Sequence, residues 1–266
     1  MTVTALPALV PGVCQVWWTR PEDVDVQHDA LLAPVDLERR GRLRQEADRR
    51  RLTAAAAVVR MVVGAHAGLP PGDVEIDRTC GSCGQQHGKP WVPAMPDVHV
   101  SVSHSAGAVA VAVGRDGPIG VDVEELGEIQ AAELESLAAC VLAPEERAHL
   151  ARLPVASRTG AFTTYWTRKE AVGKATGEGI ALADHIVVTP PSSPPRLLRS
   201  SGDGVAISLH PLHPPTGAVA TLAVMAETAV RVVERPAGPL LRAAGGRRLL
   251  PQTSRRLSRA TTRSQR

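Results

Sequence analysis

Lysine is nearly missing from this 266-residue chain: of 30 basic residues, only Lys89, Lys169 and Lys174 are lysine, and the rest are arginine. There is one Phe (Phe162) and one Tyr (Tyr165). The four cysteines (Cys14, Cys80, Cys83, Cys140) are too few and too scattered for a disulfide framework, so the expected setting is reducing and cytoplasmic. No stretch approaches the ~18 uncharged apolar residues of a membrane helix. No basic residue precedes Arg20, so the charged start of a signal peptide is absent. Acidic residues are absent from 235–266, which holds nine arginines, leaving residues 1–234 with a net charge of −6. The overall +3 therefore hides an acidic body and a basic tail, and the body is unsuited to duplex binding, which is largely electrostatic.

What is present gathers around those scarce residues. Lys169 and Lys174 stand in Trp166-Thr-Arg-Lys-Glu170-Ala-Val-Gly-Lys174, beside Phe162 and Tyr165, and Lys89 stands in Gly88-Lys-Pro90. Arg and Lys are not interchangeable where a compact charge must reach a phosphate. The apolar patterns predict a strand over Cys14–Trp18, a helix over Leu37–His66 closed by Gly64 and Gly68, and strands over Val98–Val102, Ala108–Val113 and Pro118–Glu124. Helices are expected over Gln130–Leu137, Pro144–Leu153 and Thr159–Thr176, with late strands at Val205–Leu209 and Val219–Met225. Helix and strand alternate in two stretches of similar size meeting near Arg115–Pro118. The tail from Arg235 to Arg266 has few large apolar residues and is expected to be mostly disordered.

Two groups carry chemistry. In Gly120-Val-Asp122-Val-Glu124 a strand places both carboxylates on one face, with Val121 and Val123 on the other. Hard oxygen ligands so placed suit Mg²⁺ or Mn²⁺ shared with a phosphate, although Asp-x-Glu alone equally describes two solvated charges. On the long helix, Trp166, Lys169, Glu170 and Lys174 group on one face at i, i+3, i+4 and i+8. Ser103-His104-Ser105 lies in the hairpin preceding the acidic strand and could share its rim.

Together, Gly88-Lys89-Pro90, Val100-Ser-Val-Ser103-His104-Ser105, Ile119-Gly-Val-Asp122-Val-Glu124 and Trp166 to Lys174, in that order, resemble the 4′-phosphopantetheinyl transferases of the longer, single-chain, Sfp-like type. The resemblance covers roughly residues 12–230. It implies an α+β fold of two similar α/β halves related by a pseudo-two-fold axis, at 1–115 and 116–234, with the active site in the cleft between them. It implies transfer of the phosphopantetheine arm of coenzyme A to a serine of an apo acyl or peptidyl carrier protein, in fatty-acid, polyketide or nonribosomal-peptide synthesis, releasing adenosine 3′,5′-bisphosphate. By resemblance, Asp122, Glu124 and Glu170 would hold Mg²⁺, with Mn²⁺ as the alternative. Glu170 would be general base, and Lys174 would meet the diphosphate. Ser103, His104 and Lys169 would contact coenzyme A, with Lys89 and Arg51 near the adenine and 3′-phosphate. Ser101 departs from the Asn or other polar residue common before the Ser-His pair. The resemblance further implies a monomer with no membrane or specific nucleic-acid partner.

Three other readings stay open. A metal-dependent nuclease would want a lysine two residues after the second acid, where Leu126 stands. A zinc module could use Cys80, Cys83 and His87, three ligands where a closed structural site has four. A carrier-binding protein without activity would not need the full set of acids and lysines.

Overall fold

A computed structural model describes residues 6–245 except 106, 128, 130–131, 180–183, 201–205 and 216. The strand β5 (Ala108–Gly114) shows how this sequence makes layers. Successive side chains of a strand point to opposite faces, and here the faces alternate Ala and Val. Val109, Val111 and Val113 pack with the long helix α2 (Glu46–Ala67), while Ala108, Ala110 and Ala112 meet β6 (Ile119–Glu124) and β10 (Val219–Met225). Each fully buried Val contributes roughly 1.5–3 kcal/mol, and the Ala face lets a second sheet lie close.

The result is mixed α+β, in four layers. The helix α2 covers a six-stranded sheet whose order is β11-β1-β5-β4-β3-β2. In residues these are β1 (Val13–Thr19), β2 (Asp77–Thr79), β3 (Gln86–Trp91), β4 (His99–Ser105) and β11 (Arg231–Pro236), with β5. A three-stranded sheet, β6-β10-β9 with β9 at Ile207–Leu212, packs on its other face and is covered in turn by α5 (Val155–Thr176). The order β1-β5-β4 recurs as β6-β10-β9. In each set a short helix and a 22-residue helix follow the first strand: α1 (Pro34–Arg42) before α2, and α4 (Pro144–Arg152) before α5. A further helix, α3 (Leu134–Val141), and the pair β7 (Val187–Val188) and β8 (Leu197–Arg199) belong to the second set's connections. No helix among the described residues is long and apolar enough to cross a membrane.

Several expectations change. The helix expected over Leu37–His66 is two helices, broken at 43–45, and it runs through Gly64 to a left-handed cap at Gly68 (φ +68°). The last long helix starts at Val155, and the one expected from Gln130 starts at Leu134, with Gln130 outside the described residues. The hairpin β2–β3 escaped notice because its residues are polar and partly exposed on both faces, with no apolar period to read.

The start of the basic tail is ordered structure, contrary to expectation. After β11, whose residues pair in parallel with β1, Ala237 and then Leu241 of the helix α6 (Gly238–Gly245) are each fully buried in the α2 core. His28 donates through its ring to the Leu241 carbonyl at 3.1 Å. The chain therefore returns from the second set of strands to the first sheet, across the expected boundary at 115/116. Residues 246–266 lie outside the described residues.

Candidate active site

The acidic strand β6 lies directly under α5, and Gly120 makes that approach feasible. A Cβ at Gly120 would overlap the Ala171 carbonyl oxygen and the Ala175 amide of the helix. Val121 and Val123 fill the sheet-to-sheet core, as the strand alternation requires. Asp122, on the opposite face, is buried at 2 % exposure beside Glu170 and Lys174.

The other edge of β6 is tied to β4 by side chains. Ser101, Ser103 and Ser105 accept hydrogen bonds from the amides of Val121 (2.9 Å), Val123 (3.3 Å) and Glu125 (3.1 Å). Each serine hydroxyl thus satisfies a backbone donor that has no ladder partner on that side. Ser101, a departure from the family pattern, has a structural job here. Nothing in the sequence beyond a serine at every second position signalled this zipper.

Ser103 also donates to Asp122 Oδ1 (2.9 Å), and Lys174 Nζ donates to the same Oδ1 (2.7 Å), to Ser103 Oγ (3.0 Å) and to the Val121 carbonyl (3.2 Å). Lys174 thus pairs with Asp122 of β6 rather than with Glu170, one turn back on its own helix. Asp122 Oδ2 is buried with no hydrogen-bond partner. Trp166 Nε1 donates to Glu124 Oε1 at 3.2 Å. Burial raises the Asp122 carboxyl above its ordinary value, outweighing the Lys174 ammonium. Burial, and then the Asp122 charge, raises Glu170. Two buried acids, one with an orphaned oxygen, are donors of the chemistry a hard divalent cation takes, although the carboxylate oxygens of Asp122, Glu124 and Glu170 do not all lie within 4.8 Å of one another.

These groups line a cavity of about 540 Å³ together with Glu124, Trp166 and His104. Its lining also includes two basic residues that the sequence reading missed, Arg39 of α1 and Arg78 of β2. Burial beside Arg39 and Arg60 pushes Arg78 down to about 10. Among 27 arginines no local pattern marks these two; tertiary folding alone brings them together. His104 stands at the rim, held below its ordinary value by the surrounding protein and by Arg51 and Lys174.

Three residues expected at the site stand apart from the cavity lining. Lys169 points away from Glu170, is 1 % exposed, and forms a 2.6 Å ion pair with Glu146 while donating to the Ile186 carbonyl. Its burial leaves no room for a ligand. Lys89 donates to the Ala175 carbonyl in the last turn of α5, where a cation suits the helix end, and burial pushes its ammonium down to about 8. Arg51 pairs with Asp48 one turn back on α2, at 2.6 Å.

A family model for the 4′-phosphopantetheinyl transferase superfamily matches residues 118–223, the span that holds β6, α5 and β10. The 4′-phosphopantetheinyl transferase HetI of Nostoc sp. (strain PCC 7120) is 34% identical over 198 residues, which are 73% of this chain and 79% of HetI. The chain belongs to this superfamily. Other similar phosphopantetheinyl transferases include psf-1 of Bacillus pumilus, 30% identical over 158 residues (58% of this chain, 63% of the relative). Sfp of Bacillus subtilis (strain 168) is 28% identical over 153 residues, again 58% and 63%. The matched span of the phosphopantetheinyl transferase model contains all three candidate metal-binding acids and Lys174, while Arg39, Arg78 and His104 lie before it.

Proposed function

We propose that this phosphopantetheinyl transferase moves the 4′-phosphopantetheine arm of coenzyme A onto a serine of an apo acyl or peptidyl carrier protein, with Mg²⁺ or Mn²⁺ held by Asp122, Glu124 and Glu170. The observation that carries this reading is the charged cavity. Asp122, Glu124, Glu170 and Lys174 line it together with Arg39 and Arg78, with Asp36 and Asp48 as further lining acids, and Asp122 Oδ2 is buried and unpartnered. A substrate with a diphosphate and a separate phosphate needs charge compensation at two places.

In the reaction the carrier serine Oγ forms a bond to the phosphorus that bears the pantetheine arm. The bridging oxygen departs with adenosine 3′,5′-bisphosphate. A bound divalent cation would supply neutralisation of phosphate charge. Glu170, its carboxyl raised by burial and by Asp122, takes the serine proton; a raised value makes a stronger base at neutral pH. Lys174, held by Ser103, Asp122 and the Val121 carbonyl, sets its ammonium charge beside the diphosphate end. Arg39, Arg78 and His104 accept the nucleotide end. The serine zipper holds β4 and β6 in register, so that the His104 rim and the acids keep one geometry.

The test is incubation of the protein with coenzyme A, Mg²⁺ and a panel of apo carrier proteins, read by intact-mass spectrometry. The expected result is a gain of one phosphopantetheine arm on at least one carrier, abolished by chelation and by Asp122→Ala. No gain on any carrier, or a gain indifferent to both, would overturn the reading.

A further inference from the structure

We propose that Cys80, Cys83 and His87 form a zinc-binding site at the turn of the β2–β3 hairpin, separate from the acidic site. Among the described residues this is the only group of three His, Cys, Asp or Glu side chains whose ligand atoms converge, all lying within 4.8 Å of one another. Both cysteines are free thiols, and Cys83 Sγ lies 3.0 Å from His87 Nε2.

The turn is wrapped around the first sulfur. The Cys80 amide donates to the Gln85 carbonyl and the Gly84 amide to the Cys80 carbonyl, each at 2.8 Å. Gly84 takes φ +70°, reversing the chain immediately after Cys83. The backbone of Ser82 and Cys83 beside it holds the Cys80 thiol below its ordinary value, which favours thiolate, the metal-binding form. Gly88 completes the closure, because a Cβ there would sit 2.9 Å from the Thr79 carbonyl oxygen on the facing strand.

Two thiolates and an imidazole select a borderline-soft ion, zinc rather than magnesium or calcium. Zinc–sulfur bonds of about 2.3 Å and zinc–nitrogen bonds of about 2.0 Å place tetrahedral donors roughly 3.3–3.8 Å apart. The cluster reaches that spacing with shifts of up to about 1 Å: the Cys83–His87 pair, at 3.0 Å, opens while the wider separations, within 4.8 Å, close. Cys83 and His87 are exposed and Cys80 is partly so, giving the ion an entry path and leaving a fourth position to solvent. The same hairpin carries Arg78 into the cavity and Lys89 onto α5, so a bound ion would clip together the elements that position both.

The experiment uses the full chain without an affinity tag, kept reduced, equilibrated with Zn²⁺ and desalted. Zinc is measured by elemental mass spectrometry, and Co²⁺ replacement is followed by thiolate-to-metal charge-transfer absorption. Expected are one zinc per chain in the wild type and in the Cys140→Ser control. Cys80→Ser, Cys83→Ser or His87→Ala should bind about ten-fold or more weakly, with circular dichroism unchanged and, for Cys83→Ser, a weakened cobalt band. A wild type that retains no stoichiometric zinc, shows no thiolate–cobalt band, or rests as a Cys80–Cys83 disulfide in reducing buffer would overturn the proposal. So would variants that bind like the wild type.

Discussion

The helix pairs α1–α2 and α4–α5 are built alike, residue for residue. Each short helix opens with Ala-Pro and places an acid at its third position, Asp36 or Glu146, whose carboxylate accepts from the amide of Ala33 or Ala143. Each acid meets a buried cation on the long helix, Arg60 at 2.7 Å or Lys169 at 2.6 Å. Each cation also donates to a carbonyl beyond the helix, of Val74 or Ile186, and each long helix ends at a left-handed glycine, Gly68 or Gly177. The difference comes one and five residues after the cation, where α2 has Met61 and Ala65 and α5 has Glu170 and Lys174. A shared scaffold thus holds the helices, and under the proposed function two side chains on one of them, Glu170 and Lys174, carry the reactive charge. Lys169 belongs to the scaffold.

The largest expected effect sharpens that division. Glu170→Gln should lower transfer by about 10²–10⁴-fold while leaving the melting temperature close to that of the wild type, since Met61 fills the equivalent place without a carboxylate. Rates read by carrier mass and a thermal melt on the same sample check it, and substantial remaining turnover would break the comparison.

Lys169→Met and Arg60→Met should each cost about 3–5 kcal/mol, because removing one partner strands a buried carboxylate. Pairing Lys169→Met with Glu146→Leu should recover much of the loss in urea denaturation. A stable Lys169→Met protein with weakened coenzyme A binding would return Lys169 to the active site.

Removing Ser101 tests the zipper along the acidic strand. Ser101→Ala leaves the buried Val121 amide without a partner, at a cost of about 1–3 kcal/mol, with the turnover of the folded enzyme altered much less than by Glu170→Gln.

The smallest effect is in pH. Because Asp122 and Glu170 are both held above the ordinary carboxylate range, protons compete with a divalent cation at higher pH than for free carboxylates. Mg²⁺ affinity, followed by thermal shift, should weaken as pH falls through those raised values, and Glu170→Gln should flatten the dependence. An affinity independent of pH between neutrality and the acid limb would argue against this pair as ligands.

Much of this was legible beforehand. Strand alternation correctly put Asp122 and Glu124 opposite Val121 and Val123, and the glycine stops bounded the two long helices. Helical spacing was read too loosely at Lys169. At 100° per residue it lies about 140° from Lys174, too far round to share a face. The composition of 235–245 suggested a tail, yet Leu241 is apolar enough to dock once β11 delivers it beside α2.

What the sequence determined by itself is local and periodic: which residues alternate across β5 and β6, where the long helices lie, and which four motifs follow one another. Those features depend on backbone geometry that repeats every two or 3.6 residues. Tertiary structure alone decided which lysine reaches Asp122, that three serines stitch two sheets together, and that Arg39 and Arg78 line the same cavity as the acids. Such contacts join residues far apart in the chain, and packing of the layers, which no local period encodes, sets their distances.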